Sequence, residues 1–174
     1  MSFESGKNMT GIGALFLVIG TFVPFLSLVG IILLLVGLKD LAKYYNDDTI
    51  FQNSLYAVIF GIIGIIAAGI ALILLFMGQF YSAGIIVPLV VIFIFYILMA
   101  LYFRKTFESL AEKTGQGMFN TAGLLLLIGA ILTIVLVGLI LIFVAWILAT
   151  VAFFSMTPTT TRQQPPPPPP PPQT

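Results

Sequence analysis

Four long stretches of this chain, Gly11–Leu38, Ser54–Gly78, Gly84–Phe103 and Thr121–Met156, contain no charged side chain. A helix needs about 20 apolar residues to cross a hydrocarbon core about 30 Å thick, and each stretch meets that length. Charged residues make up only 7% of the 174 residues, and 60% are hydrophobic. A soluble domain carries roughly 25% charged residues, so so few ionisable side chains cannot clothe a water-facing surface. The expected fold class is therefore all-α, a polytopic transmembrane helical bundle for which lipid is the solvent. The net charge of +1 leaves no basic patch for nucleic acid. The chain has no Cys and no His. It thus lacks the side chains for disulfides, zinc or iron–sulfur sites, thiol nucleophiles and imidazole catalysis. No cofactor or metal, and no enzyme activity, is expected.

Lys7 precedes the first apolar run, as in a signal peptide, but that run continues to Leu38. A signal-peptide core is roughly 7–15 residues long, so the segment is expected to be retained. The second and third stretches fit one crossing each. The first and last are too long for one, since at about 1.5 Å per residue the last would measure on the order of 54 Å. Pro24 lies inside the first, where the missing N–H and the ring clash kink or end a helix. Read as pairs of short helices, the two long stretches bring the count to six crossings; read as single tilted helices, they leave four. Lys39, Lys43, Arg104, Lys105 and Lys113 fall in the loops 39–53 and 104–120, and the positive-inside rule puts those loops in the cytoplasm. Six crossings also bring Lys7 and Arg162 to that side, so charge placement favours six. Residues 1–156 are read as the membrane domain.

The two charged loops share a pattern. One reads Leu41-Ala42-Lys43, then Phe51-Gln52-Asn53; the other reads Leu110-Ala111-Glu112-Lys113, then Phe119-Asn120. Together with Gly13, Gly20 and Gly30 set against Gly123, Gly129 and Gly138, this suggests a duplicated helix–loop–helix, as transporter folds often show; similar loop chemistry at two membrane exits is the plainer alternative. Leu38, Leu41, Ala42 and Tyr45 share one helical face, as do Phe103, Phe107, Leu110 and Ala111, with Lys39, Asp40 and Lys43 facing elsewhere. Asn46-Asp47-Asp48-Thr49 supplies a stop and an N-cap. Arg104 and Glu108, four apart, can pair, and Gly115 and Gly117 end the second helix. Phe51 and Phe119 are expected in the interface, and Asn53 and Asn120 as caps or bonds to the opposing loop. The loops are either a docking surface or ordinary interfacial turns.

Gly61, Gly64 and Ala68 crowd one helix, with Gly64 and Ala68 forming a small-xxx-small pair that suits close helix packing or contacts in a homo-oligomer. The polar side chains expected within the bilayer are Thr21, Ser27, Tyr96, Thr133 and little else, with no ionisable group of the kind that marks ion pathways. The carboxylate pairs Asp47–Asp48 and Glu108–Glu112 fall in loops, where caps and solvated faces account for them. Residues 157–174 form a Thr/Gln/Pro-rich tail expected to be disordered, ending in eight prolines, Pro165 to Pro172. Such a run makes a polyproline II rod, either a spacer or a ligand for a polyproline-binding partner.

The runs Gly11-Ile12-Gly13-Ala14-Leu15, Leu28–Tyr45 around Gly37-Leu38-Lys39-Asp40-Leu41-Ala42, and Ile50-Phe51-Gln52-Asn53-Ser54-Leu55-Tyr56 resemble small archaeal and bacterial membrane proteins grouped as domain of unknown function nine-nine-six. The resemblance covers most of residues 9–155. That family has no assigned activity, so it lends this chain no functional residues. Some members end in a zinc ribbon after a flexible linker; without Cys or His this chain lacks that module. The resemblance implies that the proline run stands in the linker's place, on the cytoplasmic side. The functional expectation is a membrane-embedded structural or interaction module whose partners are the bilayer and a protein. The alternative is a small-solute permease or channel acting as an oligomer.

Overall fold

The computed structural model describes residues 3–78, 83–133 and 137–158. They form six helices: α1 (Phe3–Gly20), α2 (Pro24–Tyr45), α3 (Asp48–Phe76), α4 (Ala83–Thr114), α5 (Gly117–Leu132) and α6 (Val137–Phe154). No strand occurs among the described residues. The first and last apolar stretches are each divided into two helices. The first breaks at Thr21-Phe22-Val23, and Pro24 opens α2, where a proline costs no intrahelical hydrogen bond because that N–H has no partner anyway. The amides of Thr21, Phe22 and Val23 donate back to Val18 and Ile19 carbonyls, so the turn satisfies its own donors. In the last stretch α5 ends at Leu132 and α6 begins at Val137, with no proline between them in the sequence; the Thr133 hydroxyl donates to the Gly129 carbonyl at 2.8 Å. α4 runs on through Pro88 near its start, a proline that the charge and length pattern of the third stretch does not reveal.

Each helix packs antiparallel against the next, and α6 returns to α1, closing a ring of six. Two kinds of seam hold it. Between α1 and α2 the backbones meet directly. A Cβ on Gly13 would stand 2.5 Å from the Leu34 nitrogen, and one on Gly30 would stand 2.9 Å from the Gly13 carbonyl oxygen. α5 and α6 meet in the same manner, with a Cβ on Gly129 reaching 2.9 Å from the Gly138 carbonyl oxygen. Lipid tails are as apolar as leucine, so membrane helices gain from close van der Waals contact, and glycine permits it. The α3–α4 seam is aromatic instead: Phe60 lies against Phe95 and Tyr102, with centroids 5.8 and 5.3 Å away. The centre of the ring is filled by Phe103 and Phe107 of α4, Phe119 of α5, and Trp146 and Phe153 of α6. Phe119–Phe153 and Phe103–Trp146 stand 4.9 and 5.2 Å apart in tilted or edge-on geometry, which the ring quadrupole favours.

The outer surface is apolar on every helix, from Ile12, Leu15 and Ile19 on α1 to Ile140, Val144 and Ile147 on α6. In water such a surface would drive aggregation; in a bilayer it faces its solvent. Four helices, α2, α3, α4 and α6, are long and apolar enough to cross a membrane, while α5 is apolar but shorter. α1 has 18 residues, and four of its first six, Glu4, Ser5, Lys7 and Asn8, are polar or charged. At 29 and 32 residues, α3 and α4 are about 43 and 48 Å long. They outreach their neighbours at the end away from the charges, where Phe76 is 91% exposed.

Candidate functional site

Two places in the ring concentrate chemistry or space. The first is the charged end. The N-terminus of α1, the C-termini of α2, α4 and α6 and the N-termini of α3 and α5 meet there, as Phe3 against Tyr44 (4.9 Å) and Gln116 against Ser155 show. Glu4, Lys7, Lys39, Asp40, Lys43, Asp47, Asp48, Arg104, Lys105, Glu108, Glu112 and Lys113 are all in this region, and the opposite end carries no charge among the described residues.

Local geometry at this end follows the sequence at Asn46, Asp47, Gly115 and Arg104, whereas Gly117 opens α5 instead of ending α4, and Asn53 and Asn120 lie inside α3 and α5 and cap neither. Asn46 adopts the left-handed conformation (φ 50°) that ends α2, and the Asp47 amide bonds the Ala42 carbonyl at 2.9 Å. Asp47 then caps α3, its carboxylate accepting from the Thr49 amide at 3.1 Å and from the Thr49 hydroxyl. In the second loop Gly115 takes the left-handed role (φ 71°), with its amide 2.8 Å from the Ala111 carbonyl. Arg104 pairs with Glu108 at 2.7 Å. The two loops are tied to each other: the Lys113 ammonium is 3.3 Å from the Asp47 carboxylate. The hydrogen bond from the Thr49 hydroxyl, with help from Lys113 and the Thr49 amide, holds the Asp47 carboxyl below its ordinary value of 3.8, against the opposing push of partial burial.

The loop motif lies mostly inside. Leu41, Ala42, Leu110, Ala111 and Phe119 are buried in the common core, and Phe51 is packed against it. Asn53 is half-buried and Asn120 exposed. Phe119 is not an interfacial aromatic: it is enclosed between Phe107 and Phe153. Asp40 also departs from expectation. It is 6% exposed, its Cβ against Gly6, and one carboxylate oxygen has no partner. Close approach of α1, which the period of α2 alone cannot show, covers it.

The second place is a cavity of about 330 Å³ midway along the ring; a larger, more open hollow of about 510 Å³ lies beside α4 against Ile86, Leu89, Val90, Phe93, Tyr96 and Thr133. Leu17 of α1, Ile31 of α2, Gly64 and Ala68 of α3, Met99 of α4 and Trp146 of α6 contribute to the wall of the 330 Å³ cavity, and so does Gly61. Gly61 touches Met99, but a Cβ on Gly64 would find its nearest neighbour, Phe95, only at 3.9 Å. Gly64 and Ala68 therefore border open space, Gly61 packs on Met99 of α4 at the cavity edge, and the backbone-to-backbone seams are made by other glycines. Pro24 sits at the α1–α2 turn, remote from both places. The proline run and its expected disorder fall outside the described residues.

A ring of apolar helices, charged at one end, defines a helical membrane protein. The chain belongs to the family described as protein of unknown function DUF996, whose model matches residues 26–147. An uncharacterized protein of Methanocaldococcus jannaschii is 32% identical over 166 residues, spanning 90% of this chain and 94% of the relative. No solved structure matches the chain.

Proposed function

We propose that the chain is a non-enzymatic membrane module, built as three helical hairpins that enter the bilayer from the cytoplasmic side and serving as a structural or interaction unit. The observation that carries this reading is the one-sided charge. Six cations and six acids gather at the end where the two inter-hairpin loops lie, and the hairpin turn at Thr21–Val23 has none. Cytoplasmic loops carry the excess of Lys and Arg, so this end belongs in the cytoplasm, with six crossings and both chain ends beside it. The antiparallel pairing of α1 with α2 and of α5 with α6 supports the six-crossing count. The shorter helices are accommodated by local thinning of the bilayer at modest cost.

The aromatic filling of the ring's centre by Phe103, Phe107, Phe119, Trp146 and Phe153 supports a packed module over a water-filled path for a small solute, which needs polar lining. The absence of Cys and His from the sequence supports the non-enzymatic part. The test pairs two assays on the full chain. Liposomes containing it should pass small solutes no faster than empty liposomes. Cross-linking in native membranes should retain a stable protein partner, and that partner should be lost from a chain ending at Met156. Measurable flux would replace this reading with the permease; recovery of no partner by either chain would remove the interaction role.

A further inference from the structure

We infer that the laterally open cavity is a binding site for one membrane phospholipid, which inserts a hydrocarbon chain between α2 and α3 and places its phosphate at Lys39. The cavity supplies the first half of the argument. Its volume of about 330 Å³ lies at the small end of the range of small-molecule sites and equals that of about eleven waters. Its wall offers water almost no hydrogen-bonding partner, and apolar cavities stay dry. Left void, every lining side chain would lack dispersion contacts on one side. The cavity opens sideways, because Ile62 and Ile65 on its rim are half-exposed and 63% exposed. Such an opening faces bilayer hydrocarbon and neither aqueous end, so the molecules able to enter are those with alkyl chains.

The charge at the foot of the same gap supplies the second half. Ile31, Leu35 and Lys39 follow at intervals of four along α2, and so share a face. That face looks toward Phe51, Val58 and Ile62 of α3: the Lys39 ammonium lies over the Phe51 ring, 5.7 Å from its centroid, and Ile31, Val58 and Ile62 border one cavity. Lys39 is exposed and has no carboxylate within ion-pair distance among the described residues. From Lys39 up to Ile31 the rise along α2 is about 12 Å, within the roughly 15 Å of one leaflet. An anionic headgroup at Lys39 therefore leaves its chain in line with the cavity mouth. The pairing of a cation at headgroup depth with an apolar chamber directly above it selects a phospholipid over a free apolar molecule or a free phosphate.

Trp146 provides the readout. It is the only tryptophan in the chain, lines the cavity, and is 9% exposed. The full chain in detergent micelles is titrated with anionic phospholipid brominated along the acyl chain, and Trp146 fluorescence is recorded. Quenching should saturate near one lipid per chain. Gly64→Leu, which fills the cavity, should abolish the saturable part. Gly69→Leu, on the same helix where an added Cβ meets nothing within 4 Å, should leave it intact. Lys39→Gln should raise the half-saturating concentration about fivefold for anionic lipid and by less for zwitterionic lipid, whose phosphate is partly balanced by its own cation. Quenching that rises in proportion to lipid without saturating, or that persists unchanged in folded Gly64→Leu, overturns the proposal. Should Gly64→Leu fail to fold, the wild-type saturation decides alone. Equal quenching by a brominated alkane lacking a headgroup, or indifference to Lys39→Gln, overturns the phosphate assignment. None of these outcomes depends on whether a protein partner or solute flux is found.

Discussion

Gly13 and Gly69 are both helical glycines in apolar surroundings, yet they face opposite physics. Gly13 lies where two backbones touch, and Gly69 borders open space. Gly13→Leu should lower stability by about 1–3 kcal/mol or more through overpacking. Gly69→Ala should be neutral or raise it by up to about 1 kcal/mol through helix propensity. Unfolding of the two variants in mixed detergent reads the difference. Asp47 carries the other prediction at this scale. Asp47→Ala removes the α3 cap and the partner of Lys113 and should cost about 1 kcal/mol. Its carboxyl is held below 3.8 in the folded chain. The ionised form therefore stabilises the fold at pH above that ordinary value, and the contribution is lost as pH falls through the lower folded value. Wild type and Asp47→Asn should accordingly converge in stability as pH falls through and below 3.8; a gap that widens on acidification would reverse the assignment. The cap and its partner Thr49 were legible in Asn46-Asp47-Asp48-Thr49, because capping acts over three residues. The burial of Asp40 was not, because it depends on α1.

At the scale of the helices, the break in the first apolar stretch has two causes that can be separated. Pro24 starts α2, while the tight α1–α2 seam at Gly13, Gly30 and Gly37 holds the hairpin closed. If the seam dominates, Pro24→Ala should keep two helices and cost less than about 1 kcal/mol, since proline at the first helical position acts mainly through the unfolded chain. Spin-label distances between the outer ends of α1 and α2 would show whether the hairpin stays closed. The last stretch supports that expectation, because it folds into a hairpin around Gly129 and Gly138 with no proline at all. Length alone implied that these two stretches exceed one crossing. Whether they fold back is decided by contact between their halves, which is why the residues alone leave four and six crossings open.

For the whole molecule, the chain's lack of cysteine makes sidedness directly measurable. Phe22→Cys, at the exposed uncharged turn, should react with an impermeant thiol reagent added outside intact cells. Lys43→Cys should react only after the membrane is opened, and a topology reporter fused after Thr174 should be active in the cytoplasm. Labelling of Lys43→Cys from outside would invert the proposed orientation. Trp146, enclosed by Phe103 and Phe107, should show blue-shifted emission and resist aqueous quenchers in the intact ring.

Sequence by itself determined the helical class, the solvent and the placement of charge at the ends of apolar runs. Composition and continuous apolar length suffice for these, and no distant contact can alter them. It also determined the turns at Asn46 and Gly115, whose left-handed conformations answer to local side-chain and backbone sterics. Only the tertiary structure decided that α6 closes on α1 and that Leu41, Ala42, Leu110, Ala111 and Phe119 turn inward. It alone placed Gly61, Gly64 and Ala68 beside a cavity while other glycines make the seams. In a chain this uniformly apolar, many helix faces offer the same transfer energy to lipid or to one another. Shape complementarity between residues far apart in sequence selects the pairing, and one-dimensional periodicity does not contain it.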